Sequence, residues 1–109
     1  MKSASVSVFD QHIAVAGNIC FDTVLALRQE GDAIIDTEEN KLVFNFKGVH
    51  SVDSSALTLL AVWTRRAKMR GKLIQFTHLP SSLMAMIKAF NLTSILPLSA
   101  NGDFDQTES

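Results

Sequence analysis

The chain is predicted to fold as an α/β domain, a mixed β-sheet of about four to five strands covered by about three helices. Three observations carry this expectation. Alternating apolar residues near the N-terminus mark two short strands, a nearly continuous apolar run marks a central strand, and three stretches with apolar residues at helical spacing separate the strands. At 109 residues the chain holds one core and is too short for two domains.

Val6 and Val8, then Ile13 and Val15, alternate with small or polar residues on either side of Asp10-Gln11-His12, which reads as a pair of strands with a tight connection closed by Gly17. Asp22 is placed to cap a first helix, in which Val24, Leu27, Gly31, Ile34 and Ile35 recur at helical spacing and which ends near Thr37-Glu38-Glu39-Asn40. The run Leu42-Val43-Phe44-Asn45-Phe46 suits a central strand covered on both faces. After a loop through Val49, His50 and Ser51, a second helix should run from about Ser54 to Arg70, with Gly71 just past its end. Leu73, Ile74 and Phe76 form a further strand. Pro80-Ser81-Ser82 opens a third helix from Leu83 to Phe90, ended by Asn91, and Ile95-Leu96-Pro97-Leu98 suits a short edge strand. Residues 1–100 are thus expected to form the single domain and residues 101–109 a polar, disordered tail.

Composition narrows the function. A net charge of −1 gives no basic footprint, so nucleic acid is not expected as a partner. The single cysteine, Cys20, cannot form an internal disulfide and reads as a small buried apolar group. No secretory signal and no run of roughly 18 apolar residues is present, so the expected address is the cytoplasm, without direct membrane insertion.

Chemistry-bearing patterns are sparse. His50, Asp53 and Ser54 supply the residue types of a hydrolytic triad, but three residues within one loop rarely converge and no Gly-x-Ser-x-Gly elbow surrounds the serine. His12, His50 and His78 lack partners at metal-ligand spacing and read as surface or loop residues, so no metal is expected. The glycines match no nucleotide-binding pattern, and no cofactor is expected. Arg65, Arg66, Lys68, Arg70 and Lys72 fan out around the end of the second helix and are accounted for by its dipole, Arg65 excepted.

The second helix carries the functional signal. Ala56, Leu60, Trp63 and Ala67 make its core stripe. At about 100° per residue the opposite side gathers Ser54, Thr58, Ala61, Val62, Arg65 and Met69, a line of small, apolar and basic side chains suited to docking a protein partner. Asp53 is expected to cap this helix, leaving Ser54 and Ser55 in its first turn. A phosphate on Ser54 would bring about −1.5 to −2 charges onto the face.

Over about residues 5 to 98 the sequence resembles the STAS-domain family. The stretch from Leu42 to Leu57, with Asp53-Ser54-Ser55-Ala56-Leu57 opening a helix, looks like the family signature, and Gly17 followed by Phe21-Asp22-Thr23-Val24 looks like its second landmark. Two branches are similar. In anti-sigma factor antagonists of the SpoIIAA type the serine after the aspartate is phosphorylated by a partner kinase, and that column here is Ser54. In the STAS subunit of the Mla phospholipid-transport ABC complex the column usually carries threonine, and the domain binds the cytoplasmic ATPase. Phe21-Asp22-Thr23-Val24 and the stretch from Phe90 to Pro97 look more like the Mla-type subunit. Ala56 in place of the motif glycine and Asn45 in place of the usual strand aspartate weigh against a kinase substrate more than against a docking module; Asn18 also stands where glutamate is common. The resemblance implies a non-catalytic accessory subunit that binds the ATPase, with its permease in the same complex, in a transporter maintaining outer-membrane lipid asymmetry. Such a subunit would be cytoplasmic and held peripherally at the inner membrane. The alternative it implies is an anti-sigma factor antagonist switched by phosphorylation of Ser54.

Overall fold

The computed structural model describes residues 4–9, 12–38 and 40–99. Strands β1 (Ala4–Phe9) and β2 (His12–Ile19) pair antiparallel, and helix α1 (Val24–Thr37) then leads into β3 (Lys41–Val52). Helix α2 (Ser55–Met69), strand β4 (Leu73–Thr77), helix α3 (Ser81–Ala89) and strand β5 (Leu98–Ser99) follow. The sheet order is β1-β2-β3-β4-β5, with every pair after the first parallel. The expected mixed sheet with three helices is therefore present. The tail over residues 101–109 and the connection at Asp10 and Gln11 lie outside the described residues.

Each parallel strand is added beside its predecessor in one direction, so right-handed crossovers place all three helices on the same face. Helix α1 packs on α2, and α2 on α3. Among the described residues no helix covers the other face of β3, which corrects the expectation of cover on both faces, although Val43 on that face is still buried. Ile13, Val15, Leu42, Phe44, Phe46, Ile74 and Phe76 point into the helical layer and are buried. The reverse face is mostly small and polar, with Ser5, Ser7, Ala14, Ala16, Asn45, Gln75 and Thr77; Val43 and Leu73 are its larger apolar side chains.

Trp63, fully enclosed, is the centre of the core. Its ring lies 4.7 Å from that of Phe44 and 6.5 Å from that of Phe46, and Phe76 meets both phenylalanines edge-on at 6.0 and 5.8 Å. Tilted and edge-on contacts of this kind suit the ring quadrupoles. The predicted stripe Ala56, Leu60, Trp63 and Ala67 is buried throughout, joined by Leu59.

Three local expectations are corrected. Gly17 does not close the hairpin: it lies within β2 opposite Ala4, with φ of 96°, a backbone state glycine adopts without strain. The segment Val49-His50-Ser51 is not a loop, because β3 runs on to Val52 beside β2, through register shifts that hide its alternation. At the first shift the Asn45 side chain accepts the Lys47 amide at 2.8 Å, replacing a ladder bond. The last strand is shorter than Ile95–Leu98 suggests: only Leu98 and Ser99 pair with β4, while Ile95 and Leu96 belong to the preceding turn.

Candidate docking site at the start of the second helix

The site is organised by Asp53. Its amide donates to the Ile19 carbonyl at 3.0 Å, so the chain leaves β3 still anchored to β2. One carboxylate oxygen accepts both the Ser55 amide, at 2.9 Å, and the Ser55 hydroxyl, at 2.5 Å; the other accepts the Phe21 amide at 3.1 Å. Asp53 is not itself the helix cap as expected. Helical backbone already begins at Ser54, the N-cap position, and Asp53 takes a first-turn amide from one residue further out, in the manner of an Asx turn.

This geometry separates the two serines. The Ser55 hydroxyl is held by Asp53, whereas Ser54 is exposed and makes no side-chain capping bond. A carboxylate that also fixes the neighbouring loop therefore leaves at the helix start a Ser54 hydroxyl that is exposed and, among the described residues, not engaged in capping. That loop is braced independently. Thr23, not Asp22, is the N-cap of α1, and its hydroxyl donates to the Asn18 carbonyl at 2.7 Å and accepts the Cys20 amide at 3.0 Å. Asn18 in turn accepts the Ser51 hydroxyl at 2.8 Å. Cys20 is half-buried, not enclosed, with its sulfur 3.7 Å from the Thr23 hydroxyl.

Along α2, Ser54, Thr58, Ala61, Arg65 and Met69 are exposed and Val62 is half-buried, so all six predicted positions lie on the side away from the core; Met69 is 70% exposed. The arginines divide. Arg66 grips Asp36 of α1 through two nitrogens, at 2.6 and 3.0 Å, and Arg70 reaches the same carboxylate at 2.9 Å. Lys72 donates to the carbonyls of Ile35 and Glu38 at the end of α1. Hydrogen bonds from Arg66 and then Arg70 hold the Asp36 carboxyl well below the usual carboxylate range. The basic cluster thus does more than complement a dipole, since three of its five members tie the end of α2 and the turn after it to α1. Arg65 makes no ion pair among the described residues and stays available to a partner.

Phe21 was not among the predicted site residues. It is 82% exposed on the loop held by Asp53. Its signal in the sequence is its place outside the Leu27-Gly31-Ile35 period, directly before the helix. His12, His50 and His78 are exposed, and among the described residues no three His, Cys, Asp or Glu side chains gather as metal ligands. No helix among the described residues is long and apolar enough to cross a membrane.

The fold and this helix start are those of a STAS domain. A family model described as "Mlab, STAS domain" matches residues 5–97, and the chain belongs to that family. Domains of the family are generally regulatory or accessory modules. Among solved structures, the chain is similar to an anti-sigma factor antagonist from Mycobacterium paratuberculosis, at 21% identity and a TM-score of 0.74, covering 90% of this chain and 85% of that one. It is also similar to an anti-sigma-factor antagonist (STAS) domain protein from Planctomyces limnophilus, at 14% identity and a TM-score of 0.68, covering 92% and 91%. A third is the Bacillus cell fate determinant SpoIIAA in its phosphorylated form, at 13% identity and a TM-score of 0.64, covering 91% and 93%. At these identities the likeness is one of fold. No curated protein sequence matches the chain.

Proposed function

We propose that the chain is an accessory subunit that binds the cytoplasmic ATPase of an Mla-type phospholipid ABC transporter, in a complex that includes the permease and maintains outer-membrane lipid asymmetry. The observation that supports this most is the outer side of α2. It is a line from Ser54 to Met69, exposed except at half-buried Val62, whose single charge, Arg65, makes no ion pair among the described residues, while the neighbouring Arg66 and Arg70 are engaged by Asp36. The MlaB-type family match is consistent with a partner in an ABC transporter.

Such a subunit acts by differential binding. A module without chemistry of its own changes ATPase turnover only by binding one conformation or assembly state better than another, and a coupling of about 1–3 kcal/mol shifts that balance 5- to 150-fold. The double tie between α1 and α2 suits this role, because a rigid face loses little freedom on docking. Tagged protein purified from detergent-solubilised cells should bring down an ABC-type ATPase together with its permease, as identified by mass spectrometry. Recovery of a soluble serine kinase, with Ser54 phosphorylated, would instead support the anti-sigma factor antagonist reading.

A further inference from the structure

We infer that the docking surface crosses from α2 onto the start of α1, where Phe21 and Leu25 form an apolar anchor for a pocket on the same ATPase subunit, which further along α2 carries an acidic group that receives Arg65. This inference rests on the function proposed above and adds to it the chemistry required of the partner.

The two helices run side by side in the same direction, and their contacts fix which residues lie level. Near the far end Arg66 meets Asp32 and Asp36; midway the Trp63 indole nitrogen donates to the Arg28 carbonyl at 3.5 Å; at the start Asp53 holds the Phe21 amide. Leu25, Arg28, Asp32 and Asp36 follow one another at spacings of three, four and four, so they share the side of α1 that faces α2. Val62 stands one turn before Arg66 on the matching side of α2. Leu25 and, one turn further along, Val62 therefore flank the seam between the two helices, with Phe21 at the end where its amide meets Asp53, the residue before Ser54.

Leu25 is 63% exposed, so with Phe21 the α1 side of this seam leaves two large apolar side chains in water. Neither loop nor helix needs to reorganise to offer them. The Phe21 turn is closed by the Thr23 hydroxyl, by the Thr23 and Val24 amides on the Cys20 carbonyl at 2.9 Å each, and by Asp53. An ordered aromatic on the turn held by Asp53, the residue before exposed Ser54, together with an arginine about three turns along α2 that is unpaired among the described residues, is the composition of an extended interface anchor. The partner surface that complements it carries an apolar pocket and a carboxylate.

The test measures affinity for the purified ATPase, with a thermal melt of each variant. Phe21→Ala should weaken binding at least tenfold with an unchanged melt. Leu25→Lys, at an exposed helical position where lysine preserves helix propensity, should also weaken it and decides the matter if Phe21→Ala proves unstable. Phe90→Ala is the control: Phe90 is also a largely exposed phenylalanine but ends α3 at the opposite end of the helical layer, and the variant should bind like the parent. Parent-like binding by folded Phe21→Ala and Leu25→Lys, while Ser54→Asp is weakened, overturns the α1 anchor and leaves the ATPase reading standing. Failure of the parent itself to bind the ATPase overturns both. Loss of binding to phospholipid vesicles in Phe21→Ala, with ATPase affinity intact, would assign the anchor to a membrane and also overturn it.

Discussion

A Cβ on Gly31 of α1 would stand 2.3 Å from the Cε2, Cζ2 and Nε1 atoms of Trp63 on α2. The helices approach this closely only because position 31 has no side chain, and the indole fills the space one would need. Gly31→Ala should therefore destabilise the domain, although alanine favours a helix over glycine by about 1 kcal/mol. Overpacking of a tight core costs about 1–3 kcal/mol or more. Each net kcal/mol lowers the melting temperature of a domain this size by about 4–8 °C. A melt at or above that of the parent would mean that α1 and α2 are not locked at this contact.

The Asp36 carboxylate makes a second tie, and its signature is a pH dependence. Because Arg66 and Arg70 depress its folded-state pKa below the unfolded value of about 4, its stabilising contribution is fully present above that value and is lost as pH falls through the folded one. Asp36→Asn should melt below the parent at neutral pH, and the two curves should converge as the pH drops below about 4. A gap of constant size down to strongly acid pH would show that the carboxylate charge contributes nothing.

The two carboxylate oxygens of Asp53 accept from the Ser55 amide, the Ser55 hydroxyl and the Phe21 amide, and substitutions of Asp53 should be graded. Asp53→Ala leaves the Ser55 amide and hydroxyl and the Phe21 amide without their acceptor, at a cost of about 1–2 kcal/mol in chemical denaturation. Asp53→Asn keeps one carbonyl oxygen for Ser55 but presents an amide group where Phe21 needs an acceptor. It should be milder in stability while speeding hydrogen exchange at the Phe21 amide. Equal protection of that amide in the parent and in Asp53→Asn would remove the proposed link between the two loops.

The sequence carried most of the architecture and misplaced details that depend on register. Element order and the Trp63 stripe follow from periodicity, which one strand or one helix displays by itself. The extension of β3 through His50 does not, because bulges against β2 break the alternation and make a strand look like a loop. Gly17 resembles a hairpin turn for the same reason. At the site, the exposed side of α2 was visible at helical spacing. The division between engaged Arg66 and Arg70 and unpaired Arg65 was not, because it depends on Asp36, 30 residues from Arg66 in the chain. Phe21 was missed because its importance comes from a backbone bond to Asp53 across 32 residues.

The central claim is that the α2 face around Ser54 binds the transporter ATPase, and the most direct measurement is the affinity of that ATPase for Ser54→Asp, Ser54→Thr and Arg65→Glu, each with its thermal melt. Ser54→Asp should stay folded, since aspartate suits the N-cap position and the helix dipole. It should nonetheless bind more weakly, because a carboxylate must then lose its water at a contact shaped for a neutral hydroxyl. Ser54→Thr should bind like the parent, and Arg65→Glu should bind weakly with an unchanged melt. Parent-like affinity in both folded Ser54→Asp and folded Arg65→Glu would contradict the account and make this face ordinary surface.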